Sequence, residues 1–383
     1  MIEETTVASV EAPAKNYQQI QDDLVNLALQ GLPAMYDEEN QRFCFRMKLS
    51  GGELVKEGYD LIYTLICLLG LDRAEKNGYP VFLNVKDAVI ARLNHLDEIR
   101  SIGQLGLLLW LCARAYPESL SMLETVFDLE KALDNYEDAR QNKTMQLSWF
   151  LTGLSEAALS GPSSIDLYRE LAKKSFHRII RNQSEKGAFG HMNNQTLSGK
   201  LRGKIGSFAD QVYPSYALTK YYQATGDKSA LEFAGACVKN FVQKQGLSGQ
   251  WWWHYDQDSG EIAGRYPVYS VHQDGMAPMV LFAVGDATGT DYTSAICRGL
   301  DWLDQDNEMK EHMVDFQRNV IWRNQLPAKD KMYLEKGLSM LHLKNPRVNQ
   351  RDLSVTTECW SCHLGWVLYA FAGGYRLPAR GYE

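Results

Sequence analysis

The chain of 383 residues has no apolar run long enough to cross a bilayer. Its longest, LIYTLICLLGL from Leu61 to Leu71, is about half of what a spanning helix needs, so no transmembrane segment is expected. It also lacks a basic excess. A formal charge of -7 and a pI near 5.7 exclude a global field that would draw nucleic acid or an anionic membrane surface. The first residues, MIEETTVASVEAPAKNYQQ, carry neither the basic start nor the apolar core of a secretory signal, and the expectation is a cytoplasmic protein. Seven cysteines, an odd number, sit mostly inside apolar helical runs (Cys67, Cys112, Cys237, Cys297). They read as small buried hydrophobes rather than a disulfide framework.

What is present is helical and apolar. A hydrophobic content of 45% with 23% charged residues is that of a globular protein with a sizeable core. Residues 1–16 read as a disordered tail, and 17–383 as one domain. Tyr17 to Leu32 has the spacing of a first helix, and the alternating stretch MYDEENQRFCFRMKLSGGELV reads as a short hairpin or extended loop. Strongly apolar runs follow at 58–71, 101–115, 144–159, 210–224, 274–287 and 355–372. More amphipathic ones lie at 81–97, 119–134, 165–182, 229–244, 293–304 and 329–342. A helix apolar nearly all round is buried and one with a polar stripe faces water, so the alternation predicts two concentric rings: an all-α (α/α)6 toroid.

A repeat supports this. Asp210-Gln-Val-Tyr-Pro214 opens SYALTKYYQATGDKSAL, and Asp274-Gly-Met-Ala-Pro278 opens MVLFAVGDATGTDYTSAI. Proline is tolerated in a first helical turn, which puts both acids at or near helix starts. The Thr-Gly-Asp turns fit a left-handed glycine ending one helix and an acid capping the next.

The pieces Asn182-Gln183-Ser-Glu-Lys-Gly187-Ala-Phe189-Gly190 and Gln245-Gly-Leu-Ser-Gly249-Gln-Trp251 resemble the Gln…Gly-x-Trp/Phe repeats of the terpenoid cyclase and protein prenyltransferase superfamily. That resemblance implies an α/α toroid with inner and outer helix rings, a ring also shared by sugar epimerases, polysaccharide lyases and glycoside hydrolases. The departures are chemical. The Asp-x-Asp-Asp motif that protonates alkenes is absent, the nearest strings being Asp256-Gln-Asp258 and Asp304-Gln-Asp306. The diphosphate-binding Asp-Asp-x-x-Asp motif is absent too, since Asp22-Asp23 runs on as LVN.

Candidate chemistry gathers between residues 241 and 290. His272 is the candidate acid/base, with Asp274, Asp210 or Glu358 as the partner acid and Tyr269 as a hydroxyl donor. Trp251, Trp252, Trp253, His254 and Tyr255 form an aromatic run. Neighbours in such a run point in different directions, so at least one should line a cavity. Arg265, Tyr266, Gln273, His191, Tyr213 and Tyr216 complete the expected binding set, with Asn193-Asn194 beside His191. A loop from Gln195 to Gly206, with Lys200, Arg202 and Lys204, reads as a basic lid or a solvated loop. Cys359, Cys362 and His363 are spaced to share one helix face and could offer zinc a site, although packing of small buried residues is the leading reading. Read literally, the same string fits haem c attachment, which the missing export signal disfavours.

The expected function is acid/base chemistry on a carbohydrate or glycan precursor by an epimerase, lyase or hydrolase, without a cofactor. An isoprenoid cyclase or transferase is the alternative, and a non-catalytic glycan- or protein-binding toroid the second. Oligomeric state is not legible.

Overall fold

The computed structural model describes residues 15–138, 143–192, 203–328 and 350–379. Six helices form the inner ring: α2 (Leu61–Lys76), α4 (Ile102–Ala115), α7 (Thr144–Leu159), α9 (Ala209–Thr225), α11 (Ala277–Thr288) and α13 (Ser361–Phe371). Each packs on the next, and α13 packs back on α2, so the ring closes. These are the six apolar runs expected to be buried. The ring outside them holds α1 (Tyr17–Met35), α3 (Val85–Leu93), the pair α5 (Leu120–Val126) and α6 (Leu129–Asp138), α8 (Ile165–Ile180), α10 (Ser229–Gln243) and α12 (Thr293–Leu303). Five of these match the amphipathic runs, and the sixth place is taken by α1, which packs on α13. The run at 329–342 lies outside the described residues.

Inner helices lie close because glycines face one another. A Cβ on Gly106 of α4 would come within 2.4 Å of the Phe150 backbone on α7, and one on Gly153 within 2.2 Å of the Gly106 carbonyl. Only glycine permits that approach.

The two ends of the ring differ. Turns from inner to outer helices are short, and those after α9 and α11 end on left-handed Gly226 and Gly289, as expected. Asp227 and Asp291 then accept from Ser229 and Thr293 at the next helix start. The connections that lead from outer helices into α2, α9, α11 and α13 are long and carry the strands. β1 (Tyr36–Asp37), β2 (Arg42–Ser50) and β3 (Glu53–Tyr59) realise the predicted hairpin, and β12 (Glu358–Trp360) pairs antiparallel with β2, Cys359 opposite Met47. Further short strands, among them β4 (Ile205–Ser207), β5 (His254–Asp256), β6 (Ile262–Gly264) and β7 (Val268–Tyr269), lie in the other long connections.

The glutamine motifs are ties between repeats. Gln183 Nε2 donates to the Gly187 carbonyl and to Phe233 O on α10, both at 2.9 Å. Gln245 Nε2 does the same at Gly249 O (2.7 Å) and at Ala295 O on α12 (2.9 Å). The aromatic that follows is buried, and its N–H is fixed by a glutamine of the next inner segment: Phe189 by Gln211 Oε1 (2.8 Å), Trp251 by Gln273 Oε1 (3.2 Å). The motif therefore joins each loop to the following outer and inner helices.

Mid-height on the axis the ring is filled. Trp110 of α4 stacks on Tyr216 of α9 (centroids 5.4 Å) and meets Trp366 and Tyr369 of α13 at 6.0 and 5.2 Å; all four are buried. These helices are not ring neighbours of α4, so the contacts cross the centre. A site on this scaffold belongs to a mouth, not to a through-channel.

Candidate active site

The long connections surround the N-terminal ends of the inner helices. Tyr63, Gln104, Gln146, Asp210 and His363 stand two or three places into those helices, and Asp274 lies in the turn just before α11.

At the start of α9, Asp210 and Ser207 make a capping box. Asp210 Oδ2 accepts from Ser207 N (2.8 Å) and Oγ (2.7 Å), and Asp210 N donates to Ser207 Oγ (3.3 Å). The same Oδ2 is 2.9 Å from His191 Nδ1. Asp210 is 1% exposed and the His191 side chain 24%. A carboxylate oxygen here can only accept, so His191 Nδ1 carries a hydrogen and Nε2 is the nitrogen left to exchange protons. This acid–imidazole dyad at a mouth has the orientation logic of general acid/base catalysis. Both residues were expected at the site, but not as partners.

The expected pairing of His272 with Asp274 is not made. Both lie in a π-helical turn, His272–Met276, and residues two apart on a helical turn diverge. His272 is buried against Phe208 (4.7 Å) and Tyr269 (5.1 Å), and its Nδ1 has no hydrogen-bond partner among the described residues. Burial, helped by the nearby His363, pushes its pKa down to about 3. Asp274 instead holds His363, Oδ1 to Nε2 at 2.7 Å; burial raises its pKa and His363 opposes the rise.

That neutral buried imidazole has a testable cost. Between its ordinary value of 6.5 and about 3, the unfolded chain binds a proton the folded chain refuses. Stability is therefore full above pH 6.5 and falls as pH drops toward 3, by about 1.4 kcal/mol per pH unit for one proton. In urea unfolding from pH 7 to 4, His272→Phe is expected to reduce this slope. An unchanged slope would show that His272 is charged in the fold.

Glu358, expected as a cavity acid facing Asp274, is an anchor. It accepts from Arg46 Nη1 (2.7 Å), Arg323 Nη1 (2.6 Å) and Trp360 Nε1 (2.9 Å). Arg323 lies flat on Trp360, Cζ to centroid 3.7 Å, with Tyr269 at 5.4 Å. Phe45 and Tyr63 stack at 4.9 Å and both meet Trp360. Trp253 stacks on His254 (4.1 Å) and meets Tyr269 at 5.8 Å. These half-buried rings form an arc over the starts of α2, α13 and α11. Phe45, Arg46, Tyr63, Arg323 and Trp360 were not singled out from the sequence. The F-C-F-R alternation at 43–46, which turns every second residue to one sheet face, was the available signal.

The other candidates fall elsewhere. Trp251, Tyr255, Tyr266, Tyr213, Tyr216 and Gln273 are buried packing or bonding groups, and Arg265 is exposed beside Trp252, Cζ to centroid 5.4 Å. Lys200, Arg202 and Asn193-Asn194 lie outside the described residues; Lys204 pairs with Asp258. Cys359 stands on β12, not on the helix, so it does not share a helix face with Cys362 and His363. Among the described residues no three His, Cys, Asp or Glu side chains are placed to hold a metal. Burial raises the Cys359 thiol to about 12 and Cys362 further.

No protein-family model matches the chain, and no curated protein matches it. Solved structures match in shape. A possible member of the GH105 family from Klebsiella pneumoniae is 11% identical with a TM-score of 0.61, covering 97% of this chain and 98% of that one. A possible GH105 member from Salmonella enterica is 10% identical, TM-score 0.60, with the same coverage. The unsaturated glucuronyl hydrolase of Bacillus sp. GL1, responsible for degradation of glycosaminoglycan, is 13% identical, TM-score 0.54, covering 93% and 95%. At these identities the likeness establishes the fold. The chain is an α/α toroid, and the resemblance to terpenoid cyclases holds at the level of that ring. No helix among the described residues is long and apolar enough to cross a membrane.

Proposed function

We propose that the protein is a carbohydrate-active enzyme whose site is the N-terminal mouth of the inner ring. The observation that carries this reading is His191, partly exposed and held by buried Asp210, at the same end of the ring as an arc of half-buried aromatic rings. Trp253, Tyr269 and Trp360 suit stacking on sugar faces. His191 Nε2 passes the proton, and this reading calls on no zinc or other cofactor. The fold neighbours named for glucuronyl hydrolysis favour hydrolysis over epimerisation.

The test is turnover. Purified protein is incubated with unsaturated uronyl disaccharides and with neutral gluco-, manno- and galacto-oligosaccharides, and products are read by mass spectrometry. Conversion of at least one sugar is the expected result. Prenyl diphosphates and squalene form a parallel arm: an isoprenoid product there, with none from sugars, would replace this reading by the cyclase one. The filled centre of the ring favours a second reading, a toroid that binds a glycan without converting it. Saturable sugar binding with no product would select it.

A further inference from the structure

The opposite, C-terminal end of the inner ring holds a layer of charge that the proposed site does not use, with Asp72 and Glu156 buried and Arg73, Arg114 and Lys220 half-buried. Arg73, Arg114 and Glu156 are the thirteenth residues of α2, α4 and α7, and Lys220 is the twelfth of α9, so the four lie at one level. The mouth residues are about ten positions earlier, some 15 Å away along the axis. Asp72 pairs with Arg114 Nε (3.0 Å) and Lys76 Nζ (2.7 Å), and Glu156 pairs with Lys220 Nζ (2.9 Å). Four cations thus face two carboxylates.

Arg73 is the unmatched one. It makes no ion pair among the described residues. Its Cζ lies 4.7 Å from the Tyr369 ring centroid and 5.8 Å from that of Tyr375. The backbone behind it is packed so closely that a Cβ on Gly373 would come within 2.1 Å of the guanidinium. Arg114 Cζ is 5.7 Å from the same Tyr369 ring, and Lys220 Nζ is 5.6 Å from the Tyr216 ring. The Tyr216 and Tyr369 hydroxyls meet at 2.8 Å, which uses one phenolic hydrogen and leaves the other without an acceptor among the described residues. Burial alone would raise Glu156, yet Lys220, Arg114 and Arg73 together hold it below the usual carboxylate range. The layer has more positive charge than its own acids absorb.

A cation near a helix C-terminus is favourable by itself, and Lys76 meets that need by donating to the Arg114 carbonyl. Arg73 lies instead across aromatic faces, half-buried. A half-buried guanidinium with no carboxylate beside it has donors to spare, and its fork matches an oxyanion. We propose that this end of the ring binds an oxyanion group, phosphate or carboxylate, of a small molecule, held by Arg73, Arg114 and Lys220 with a tyrosine hydroxyl. The proposal is independent of the sugar-site reading.

The experiment uses the full chain, by calorimetry and thermal melting at pH 7.5, titrated with sodium phosphate, pyrophosphate and malonate against sodium chloride of equal ionic strength. Saturable stabilisation by at least one oxyanion beyond chloride is expected. Arg73→Met should abolish it, Lys220→Met should weaken it about tenfold, and Lys174→Met on α8 should leave it intact. Glu156→Gln, which removes a competing carboxylate, should tighten it, and this keeps the test open if Arg73→Met folds poorly. Phosphate or pyrophosphate acting without malonate assigns a phosphate; the reverse assigns a carboxylate. No response beyond chloride, or wild-type responses in both Arg73→Met and Lys220→Met, overturns the proposal.

Discussion

His191→Ala is expected to lower kcat/KM on the converted sugar by about 10²- to 10⁴-fold, the range carried by a positioned acid or base. The fold should tolerate it, because Asp210 Oδ2 keeps both Ser207 donors when the imidazole is gone. Asp210→Asn tests the mechanism more closely. The amide is isosteric, and because one oxygen serves Ser207 N, Ser207 Oγ and His191 Nδ1 together, the amide oxygen takes that place and keeps all three bonds. The imidazole keeps its hydrogen on Nδ1, but the negative charge that faces its protonated form during proton transfer is gone. The loss should be a part of that of His191→Ala, with the capping bonds to Ser207 retained and little change in melting temperature. The double variant should cost no more than the worse single one, since the two act as a unit. A His191→Ala enzyme of full activity would remove His191 from the chemistry. Activity lost with Asp210→Asn only in step with a lowered melting temperature would reduce Asp210 to a helix cap.

The ring was legible because its information is local. Six runs apolar nearly all round had to be inner helices, and the glycines of Thr225-Gly226-Asp227 and Thr288-Gly289 carry their left-handed geometry in the sequence itself. Both repeat aspartates were placed at inner helix starts for the same reason. Their partners were not legible, because each lies across the fold. His191 comes from the loop before β4, and His363 from a helix 89 residues beyond Asp274. Proximity in sequence suggested His272 for Asp274, and helical geometry prevents that pair. Glu358 shows the same limit: its role is set by Arg46 on β2, 312 residues away, and by Arg323. The aromatic run at Trp251 to Trp253 divides, with Trp251 buried and Trp252 and Trp253 half-buried. Its first member serves the repeat tie rather than a cavity, because Gln273, 22 residues on, holds its backbone.

Trp110→Ala is expected to destabilise the protein by about 3–5 kcal/mol in urea unfolding, among the larger losses a single core truncation produces. Trp110 is fully buried and touches rings from two helices that are not neighbours of α4, so its removal severs contacts across the ring as well as along it. Its Nε1 has no hydrogen-bond partner among the described residues. The indole therefore acts through shape, and Trp110→Phe should cost much less, since a smaller ring fills part of the space without orphaning a polar partner. An apolar void of this kind accepts small aromatics. Adding benzene or indole to Trp110→Ala should recover part of the lost stability, and no recovery would mean that the surrounding rings had collapsed inward. Measuring mouth activity in the same variant then separates two roles for the plug. Unchanged kcat/KM would show that the centre only braces the ring, whereas a fall beyond what the unfolded fraction explains would show that Tyr216 and Trp366, once released, no longer hold the starts of α9 and α13 in the register His191 and Asp210 require.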